Sequence, residues 1–333
     1  MKTSRKLQLV SLLVLAIGLS GCVAKAPPTP EHKVKTTACL IRSSQEVPGT
    51  PEKQIATDLV EAKVVFGLNV REVQIEKGST RISSVLLKAL QSGCVLMLSS
   101  NMNYVDALAK FAGEHPKMLV LFVGGAIAKI NQPSNFRWVA DDLLGATKLA
   151  GYLAAGKSVS GKVHLLVQPA YYQSKSIETA FRSGVEDFDI TDGQSTQVIL
   201  ANIRTAKDLS TQLENLDSTD VVTLFAGRSV WRGFPETGVE TPFVIGADLQ
   251  PGTSIGFAPK VQVSVERNTS KYVLSAASSL LNGKVSSEPL YRKSGALKFG
   301  TNELKVLRTD SIDGALSEEL ASYKKELISN STR

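Results

Sequence analysis

Short apolar runs alternate with longer amphipathic stretches from Thr36 onwards, and this alternation constrains the fold more than any other feature. Valine-, isoleucine- and leucine-rich strands joined through helices indicate parallel sheets covered on both faces. Ten strands exceed what one open sheet usually holds, so we expect two α/β lobes. The predicted strands are 36–42, 69–76, 94–100, 118–125, 136–141, 162–168, 196–202, 221–227, 242–248 and 261–266. The predicted helices are 52–66, 79–92, 103–114, 141–157, 174–188, 205–216, 268–282 and 314–328.

The N-terminus predicts export and lipid anchoring. Three cations (Lys2, Arg5 and Lys6) precede an apolar run at 7–19, which is shorter than the roughly 20 residues of a membrane span. The run ends in LSGC, which resembles the bacterial lipobox, where a diacylglycerol is attached to the cysteine thiol. We therefore predict a signal peptide at 1–21 and lipidation of Cys22. The alternative is an ordinary secretory signal that happens to contain a cysteine.

The segment after the signal predicts a spacer followed by a folded body. Residues 22–35 are rich in proline, lysine and small residues, as in an extended tether. No later segment has 18 consecutive apolar residues, so we expect the body to lie outside the bilayer. The formal charge of +7 includes three cations of the signal peptide, which leaves about +4 on the mature chain. That charge is too small to indicate nucleic-acid binding.

Two further cysteines, Cys39 and Cys94, lie in apolar strand-like runs. A disulfide is conceivable in an exported protein. We favour buried free thiols, because cysteine is among the most buried residue types. The three histidines are scattered without ligand spacing, so neither a metal nor a cofactor is expected.

The stretch GYLAAGKS at 151–158 has the residue pattern of a phosphate-binding P-loop. A working P-loop follows a strand and opens a helix, so that backbone amides face the phosphates. Here a predicted helix precedes the stretch and a strand follows it. We interpret Gly151 as a close-packing residue and Gly156 as the residue that ends the helix. Nucleotide binding through Lys157 is not expected.

Nothing in the sequence requires an enzyme. His164 lies among apolar residues in a strand, which is typical of a core histidine, and His115 follows a helix. The neighbouring carboxylates Asp141–Asp142 and Glu186–Asp187 are interpreted as charges that flank helices. An exported hydrolase is a third alternative, for which no nucleophile and base can be paired.

Small hydrogen-bonding residues follow most of the predicted strands, at the edge where open α/β sheets bind ligands. They include Ser43, Ser44, Asn101 and Gly227, and Trp231 follows closely after the last of these. This composition suits a cleft for a polar, planar ligand. The same residues also make the tight turns of any α/β fold, and composition leaves both interpretations open.

Three stretches resemble the basic membrane protein (Bmp/Med) family of ABC-transporter substrate-binding lipoproteins, typified by purine-nucleoside-binding members. WVADDLLGATKLAGYLAA resembles the family's strand, acidic turn and helix reading roughly GYLAG, and QSKSIETAFRSGVEDFD resembles its next helix. FVIGAD and the following VQVSVERNTSK resemble its VIGVD strand and its Ser-x-x-Lys junction. The resemblance spans most of residues 36–328. It implies a type I periplasmic-binding fold, with two lobes, three crossovers and a ligand in the cleft.

The resemblance also implies ligand-binding roles for particular residues. Asp248 matches the family's aspartate that holds sugar hydroxyls, and a carboxylate can accept two such hydrogen bonds. A turn-capping aspartate is the alternative. Arg267 falls on the lysine of the junction, which keeps the charge and alters its geometry. Phe225 lies where the family has a stacking aromatic, before the glycine-rich turn that contains Gly227.

The first loop departs from the family pattern. SSQEVPGT lacks the family's acidic and aromatic set of the kind DD.SFN. Losing that aromatic removes one face of a base sandwich, and stacking contributes roughly 1–3 kcal/mol per base. The shortened turn AGRSVWRG adds Arg228, Trp231 and Arg232, and the arginines would favour a more anionic ligand. Nucleoside binding is therefore in question.

Taken with the resemblance, these patterns predict a membrane-anchored solute-binding lipoprotein of an ABC importer, on the outer face of a bacterial cell membrane. Its partners would be a small polar, nucleoside-like solute, an ABC permease and the membrane, with no nucleic acid. The alternative is a non-transporting lipoprotein that keeps the fold as a surface sensor or interaction protein. Lobe 1 is expected at 36–135 and 260–285, and lobe 2 at 136–259 and 286–330. Hinges are expected near 133–138, 248–260 and 283–287.

Overall fold

Two β-sheets organise the chain, and each defines one lobe. The computed structural model describes residues 36–45, 47–125, 132–141, 143–234, 242–247, 261–284, 302–306 and 312–330. The chain divides into two units, Met1–Val34 and Lys35–Arg333, and all the described residues belong to the second.

Lobe 1 is a five-stranded parallel sheet in the order β2-β1-β3-β4-β5. Leu86 of α2 and Leu108 of α3 pack on one face, and Leu59 of α1 and Val273 of α8 pack on the other. Because both faces are covered, most of the strands are almost continuously apolar. The elements are β1 Thr37–Ser43, α1 Glu52–Phe66, β2 Asn69–Ile75, α2 Ile82–Gln91, β3 Cys94–Ser99, α3 Val105–Glu114, β4 Leu119–Gly124, β5 Phe136–Ala140 and α8 Ser270–Leu281, with a 3-10 turn at Met102–Tyr104.

Lobe 2 is a six-stranded sheet in the order β11-β10-β9-β8-β6-β7, in which only β11 runs antiparallel to its neighbour. Helices α4, α5 and α9 bury one face of this sheet, and α6 and α7 bury the other. The elements are α4 Leu144–Lys157, β6 Lys162–Val167, α5 Ser174–Asp192, β7 Gln197–Asn202, α6 Ala206–Leu213, β8 Val221–Phe225, α7 Arg228–Trp231, β9 Phe243–Ala247, β10 Val263–Arg267, β11 Asn302–Val306 and α9 Gly314–Asn330.

The predicted α/β class with two parallel-sheet lobes is confirmed. Every predicted strand and helix is present, with ends that differ by at most four residues. Strand β11 was not predicted, because its sequence NELKV lacks an apolar run. It pairs along β10 through the register Val263 to Val306.

The chain passes between the sheets three times: before α4, between β10 and α8, and between α8 and β11. The strand pairing divides the chain differently from the predicted ranges. β5 pairs with β4 in lobe 1, where residues 136–141 had been assigned to lobe 2. β10 pairs with β9 in lobe 2, where residues from 260 had been assigned to lobe 1. A strand belongs to the sheet that contains the strand with which it pairs. The local sequence pattern does not indicate which strand that is.

Cys39 and Cys94 form a disulfide, so the preference for free thiols was wrong. Their Cα atoms are 5.7 Å apart, within the range that a disulfide spans. The two cysteines belong to adjacent strands, β1 and β3, and their side chains lie in the same buried cluster. An irregularity in register between Thr37 and Ala38 accompanies this pairing.

The stretch GYLAAGKS ends helix α4, as its orientation predicted, and it opens no helix. A Cβ atom at Gly151 would lie 2.1 Å from the backbone oxygen of Phe181, so this glycine serves close packing between α4 and α5. The role predicted for Gly156 was wrong, because α4 continues to Lys157. A Cβ atom at Gly156 would instead lie 2.7 Å from Leu316 of α9.

The described residues contain neither a candidate membrane span nor a candidate metal site. No described helix has the length and apolar character to cross a bilayer. No three His, Cys, Asp or Glu side chains in the described ranges are grouped as metal ligands would be.

Candidate functional site between the lobes

Each sheet reverses its strand order once, and open α/β sheets form their ligand crevices at such a reversal. The reversal lies between β1 and β3 in lobe 1, and between β6 and β8 in lobe 2. Hydrogen bonds join residues that follow strands of one sheet to residues that follow strands of the other. The carboxyl edges of the two sheets therefore face each other.

Three predicted ligand-binding residues lie at the lobe 1 edge. Ser43 ends β1, and its hydroxyl accepts a hydrogen bond from the amide of Gln45 at 3.2 Å. Ser44 is exposed, and its amide donates to the carbonyl of Ile75 at 3.0 Å. Asn101 caps the 3-10 turn by accepting a hydrogen bond from the amide of Asn103 at 3.0 Å. Turn-forming roles thus account for the described contacts of these residues, and ligand binding by them stays a prediction.

The two aromatic residues predicted for lobe 2 are buried. Phe225 is 0% exposed and meets the ring of Tyr171 edge-on at 5.8 Å. Trp231 is 1% exposed, donates from Nε1 to the carbonyl of Ala226 at 3.1 Å and stacks on Phe234. Because both rings are enclosed by the protein, this conformation offers neither of them to a ligand base.

Arg267 forms a buried ion pair with Asp141 across the lobes. Its Nε lies 3.0 Å and 3.2 Å from the two carboxylate oxygens, and the side chains are 2% and 0% exposed. Asp141 follows β5 in lobe 1, and Arg267 ends β10 in lobe 2. The sequence interpretation of Asp141 as a helix-flanking charge missed this role, because 126 residues separate the partners. Net charge at this position is balanced within the protein.

A turn of the first loop lies against lobe 2. We call Pro48 and Gly49 the Pro-Gly turn. The carbonyl of Pro48 accepts a hydrogen bond from the amide of Tyr172 at 2.8 Å, and the carbonyl of Gly49 accepts one from Nη2 of Arg267. Gly227, which was predicted as a ligand residue, faces this turn: a Cβ atom there would lie 3.1 Å from Cβ of Pro48. The Pro-Gly turn thus occupies the crevice beside β6 and β8.

Tyr172 provides a second cross-lobe contact. Its hydroxyl accepts a hydrogen bond from the amide of Gly125, which follows β4, at 2.9 Å. Burial raises the pKa of the Tyr172 hydroxyl, and the charge of Asp141 raises it further. The tyrosine is therefore neutral near neutral pH. The sequence signal for this contact was the aromatic pair after β6.

Two buried polar atoms at the facing edges have no hydrogen-bond partner within the described ranges. They are Oγ of Ser100, a residue that is 3% exposed, and Oε1 of Gln173. Gln173 has a left-handed backbone, with φ of 60°, and its Nε2 lies 3.4 Å from the carbonyl oxygen of Asp141. Strained backbone of this kind is concentrated at functional sites. These atoms are candidates for contact with a polar ligand. Ser100 is one of the small residues that end or follow the predicted strands, whereas the sequence did not single out Gln173.

Two predicted residues lie outside the described part of the chain. They are Asp248, the proposed ligand carboxylate, and Cys22, the proposed lipidation site. The structure therefore tests neither role.

The only described histidine with a carboxylate partner is His164, and its environment is structural. Its Nε2 lies 3.1 Å from Asp220, whose other carboxylate oxygen accepts a hydrogen bond from Ser160 at 2.6 Å. Since the serine contacts the aspartate instead of the histidine, the three residues do not form a catalytic triad. Residues 252–256 read GTSIG, a nucleophile-elbow spacing that the sequence interpretation overlooked. They lie outside the described residues, and the next described element along the chain is strand β10, whereas a nucleophile elbow opens a helix.

Sequence comparison finds no matching family model and no matching curated protein. Solved structures do match. A solute-binding protein of an ABC transporter system from Aeropyrum pernix K1 superposes with a TM-score of 0.66 at 15% identity, over 89% of this chain and 92% of the other. A solute-binding protein of an ABC transporter system from Conexibacter woesei DSM 14684 also superposes with a TM-score of 0.66 at 15% identity. The match covers 90% of this chain and 98% of the other.

Transcriptional regulators share the fold as well. A transcriptional activator of the comK gene from Bacillus halodurans superposes with a TM-score of 0.58 at 15% identity, over 88% of this chain and 97% of the other. Likeness at such identity establishes architecture alone. The chain has the type I periplasmic-binding fold, α/β with two parallel-sheet lobes.

Proposed function

We propose that the chain is a membrane-anchored extracytoplasmic solute-binding lipoprotein of an ABC importer, which captures a small polar solute between its lobes without reacting with it. The observation that carries this proposal is the pair of facing switch points, closed by the Arg267–Asp141 ion pair and by the contact of Tyr172 with Gly125. The likeness to solute-binding proteins supports the proposal at the level of the fold.

The proposed location rests on two independent features. The first 22 residues have the charge, apolar run and cysteine of a lipoprotein signal. The disulfide between Cys39 and Cys94 fits an oxidising compartment, because cytosolic thiols are kept reduced. Lipidation of Cys22 and membership of the Bmp/Med family are parts of the same proposal.

The charge balance of the site limits the chemical class of the proposed solute. Arg267, which keeps the positive charge of the family's lysine, is neutralised by Asp141. Arg228, which begins α7, and Arg232, which follows it, are both exposed. With Phe225 enclosed in the lobe 2 core, base stacking has little support in this conformation. We therefore propose a neutral polar solute, and we keep a nucleoside-like compound as one candidate.

A non-transporting lipoprotein is the second candidate, and one observation favours it. The Pro-Gly turn occupies part of the crevice where a solute would bind. A protein that kept the fold as a surface sensor or interaction module would tolerate such a contact. The degraded first loop agrees with this alternative.

Thermal-shift measurements on the full chain test the proposal. The panel contains nucleosides, nucleobases, neutral sugars, short peptides and anionic solutes. A solute at 100 times its dissociation constant should add roughly 2.7 kcal/mol of stability. Asp248→Asn should abolish the response. Asp217→Asn should retain it, because Asp217 is exposed before β8, at the opposite edge of the sheet. If no solute of the panel raises the melting temperature, the non-transporting alternative is favoured.

Membrane anchoring is tested separately. Cys22→Ala should move the protein from the membrane fraction to the aqueous fraction, and it should abolish incorporation of radiolabelled palmitate. Equal labelling of the Cys22→Ala protein and the unmodified protein, or no labelling of either, would reject lipidation at Cys22.

A further inference from the structure

The Pro-Gly turn is held in lobe 2 as a ligand would be held. Both of its carbonyls accept hydrogen bonds from lobe 2 donors, namely the Tyr172 amide at 2.8 Å and Nη2 of Arg267. The turn itself belongs to lobe 1, since it lies between β1 and α1. Opening the lobes would therefore remove the turn from its donors.

The contact between the Pro-Gly turn and lobe 2 requires glycine on both sides. A Cβ atom at Gly49 would lie 2.4 to 2.6 Å from three ring carbons of Tyr171, and its φ of +76° also disfavours any side chain. Across the contact, Gly227 leaves room for the ring of Pro48. The ring of Tyr171 is 3% exposed, so the turn contributes to enclosing an aromatic surface.

The two groups that donate hydrogen bonds to the turn, the Tyr172 amide and the Arg267 guanidinium paired with Asp141, have no net charge together. The carboxylate of Asp141 lies 3.0 Å from Nε of Arg267, so the guanidinium is neutralised while Nη2 still donates. A donor pair of this kind, next to an aromatic ring, suits an uncharged amide. An isolated carboxylate would instead bring an unbalanced charge into a buried site.

We propose that the Pro-Gly turn is a built-in occupant of the lobe 2 crevice, and that the solute which replaces it is an uncharged, amide-bearing compound such as a short proline–glycine peptide. This inference rests on the proposed solute-binding function and names its solute class. The replaced contacts are the Tyr172 amide, Nη2 of Arg267 and the Tyr171 ring. Solute binding and release of the turn are then competing events.

Amide hydrogen exchange of Tyr172 tests the inference in the full chain. Gly49→Ala should expel the turn and speed exchange at Tyr172 by at least ~10-fold, because that amide loses its acceptor. Gly67→Ala is the matched control: Gly67 also has a left-handed φ of +67°, and no atom lies within 4 Å of its Cβ position. It should leave Tyr172 protected. Gly227→Val provides a second route, since it displaces Pro48 without altering the turn's own backbone.

A blocked peptide, acetyl-Val-Pro-Gly-Thr-amide, then identifies the solute class. It should restore protection of Tyr172 in the Gly49→Ala protein. It should bind the unmodified protein at least ~10-fold more weakly, because a tethered turn competes at an effective concentration in the millimolar range. The peptide acetyl-Val-Pro-Ala-Thr-amide should fail, since its alanine meets the Tyr171 ring.

The outcomes separate this inference from the proposed function. Unchanged Tyr172 exchange in both folded variants would overturn the built-in occupant, even if a panel solute binds. If the variants release the turn and the Val-Pro-Gly-Thr peptide does not restore protection of the Tyr172 amide, the assignment of an amide-bearing solute is overturned. Equal restoration by both peptides would overturn it as well. A panel solute that binds without changing Tyr172 exchange would support the function and reject the competition.

Discussion

Two glycines let helices α4 and α5 touch along their backbones. A Cβ atom at Gly184 would lie 1.9 Å from the carbonyl oxygen of Lys148, and one at Gly151 would lie 2.1 Å from that of Phe181. Neither distance admits a methyl group. Because the atoms in the way belong to backbone, the helices themselves would have to move apart.

Gly184→Ala should therefore destabilise the protein by roughly 1–3 kcal/mol or more, as overpacking does. Urea unfolding measures the change in the free energy of unfolding. The control is Gly314→Ala, at the start of α9, where no atom lies within 4 Å of the Cβ position. Equal stability of the two variants would contradict the close approach.

Single residues were partly predictable from the sequence. Gly151 was predicted to pack closely, because its neighbours show helical spacing. Arg267 was placed near the site by resemblance alone. Its partner Asp141 and the Pro-Gly turn were missed, because they meet only when the two lobes come together.

At the scale of elements, the disulfide joins β1 to β3 across 55 residues of sequence. This closed loop contains α1, β2 and α2. The bond restricts the unfolded chain, and the restriction grows slowly with loop length.

The double variant Cys39→Ala with Cys94→Ala should lose roughly 2–5 kcal/mol of stability. The comparison is the unmodified protein in excess dithiothreitol, which should converge on the same urea midpoint. A midpoint that neither treatment shifts would show that the bond contributes nothing to stability.

Helix α1 is also hydrogen-bonded to the crossover between β10 and α8. The carboxylate of Asp58 accepts hydrogen bonds from Thr269, in that crossover, and from Gln54 at 2.8 Å. Burial raises the pKa of Asp58, against the lowering effect of these hydrogen bonds. The folded state therefore binds a proton more tightly than the unfolded chain does.

The sign of the pH dependence follows from this raised pKa. The contribution of Asp58 to stability is complete below the unfolded value, near 3.8, and it is lost as pH rises through the folded value. Asp58→Asn removes the titration, so its stability relative to the unmodified protein should increase between pH 4 and pH 7. Urea unfolding at both pH values measures this; a relative stability that falls over the same interval would contradict the raised pKa.

At the scale of the whole molecule, closure depends on a few buried polar contacts. The Arg267–Asp141 pair and the contact of Tyr172 with Gly125 join the lobes directly. Removing one partner of a buried ion pair typically costs about 3–5 kcal/mol, because it leaves the other charge uncompensated. Opening the lobes would relieve that cost by letting water reach Arg267.

Asp141→Asn should therefore open the lobes without unfolding them. The amides of Gly125 and Tyr172 should exchange faster, while those of β3 and β8 keep their protection. Asp187→Asn is the control, since Asp187 pairs with Lys148 within lobe 2 at 2.7 Å. Faster exchange throughout β3 and β8 would indicate global unfolding and would contradict a hinge motion.

The architecture was predictable, and the division of strands between lobes was not. Apolar periodicity is a local property, so it located nearly every strand and helix. Sheet membership of β5 and β10 depends on which strand lies alongside, which no local pattern contains. Strand β11 was missed for a related reason: its stability comes from pairing along β10.

The position of the disulfide also bears on mechanical load. Any pull on the chain's N-terminal segment enters the domain at the start of β1, which lies between β2 and β3 in the sheet. Only Thr37 and Ala38 precede Cys39 in that strand, so the force passes at once through a covalent bond into β3. Tension is thus shared by two strands before the hydrogen bonds of β1 beyond Cys39 are loaded in shear.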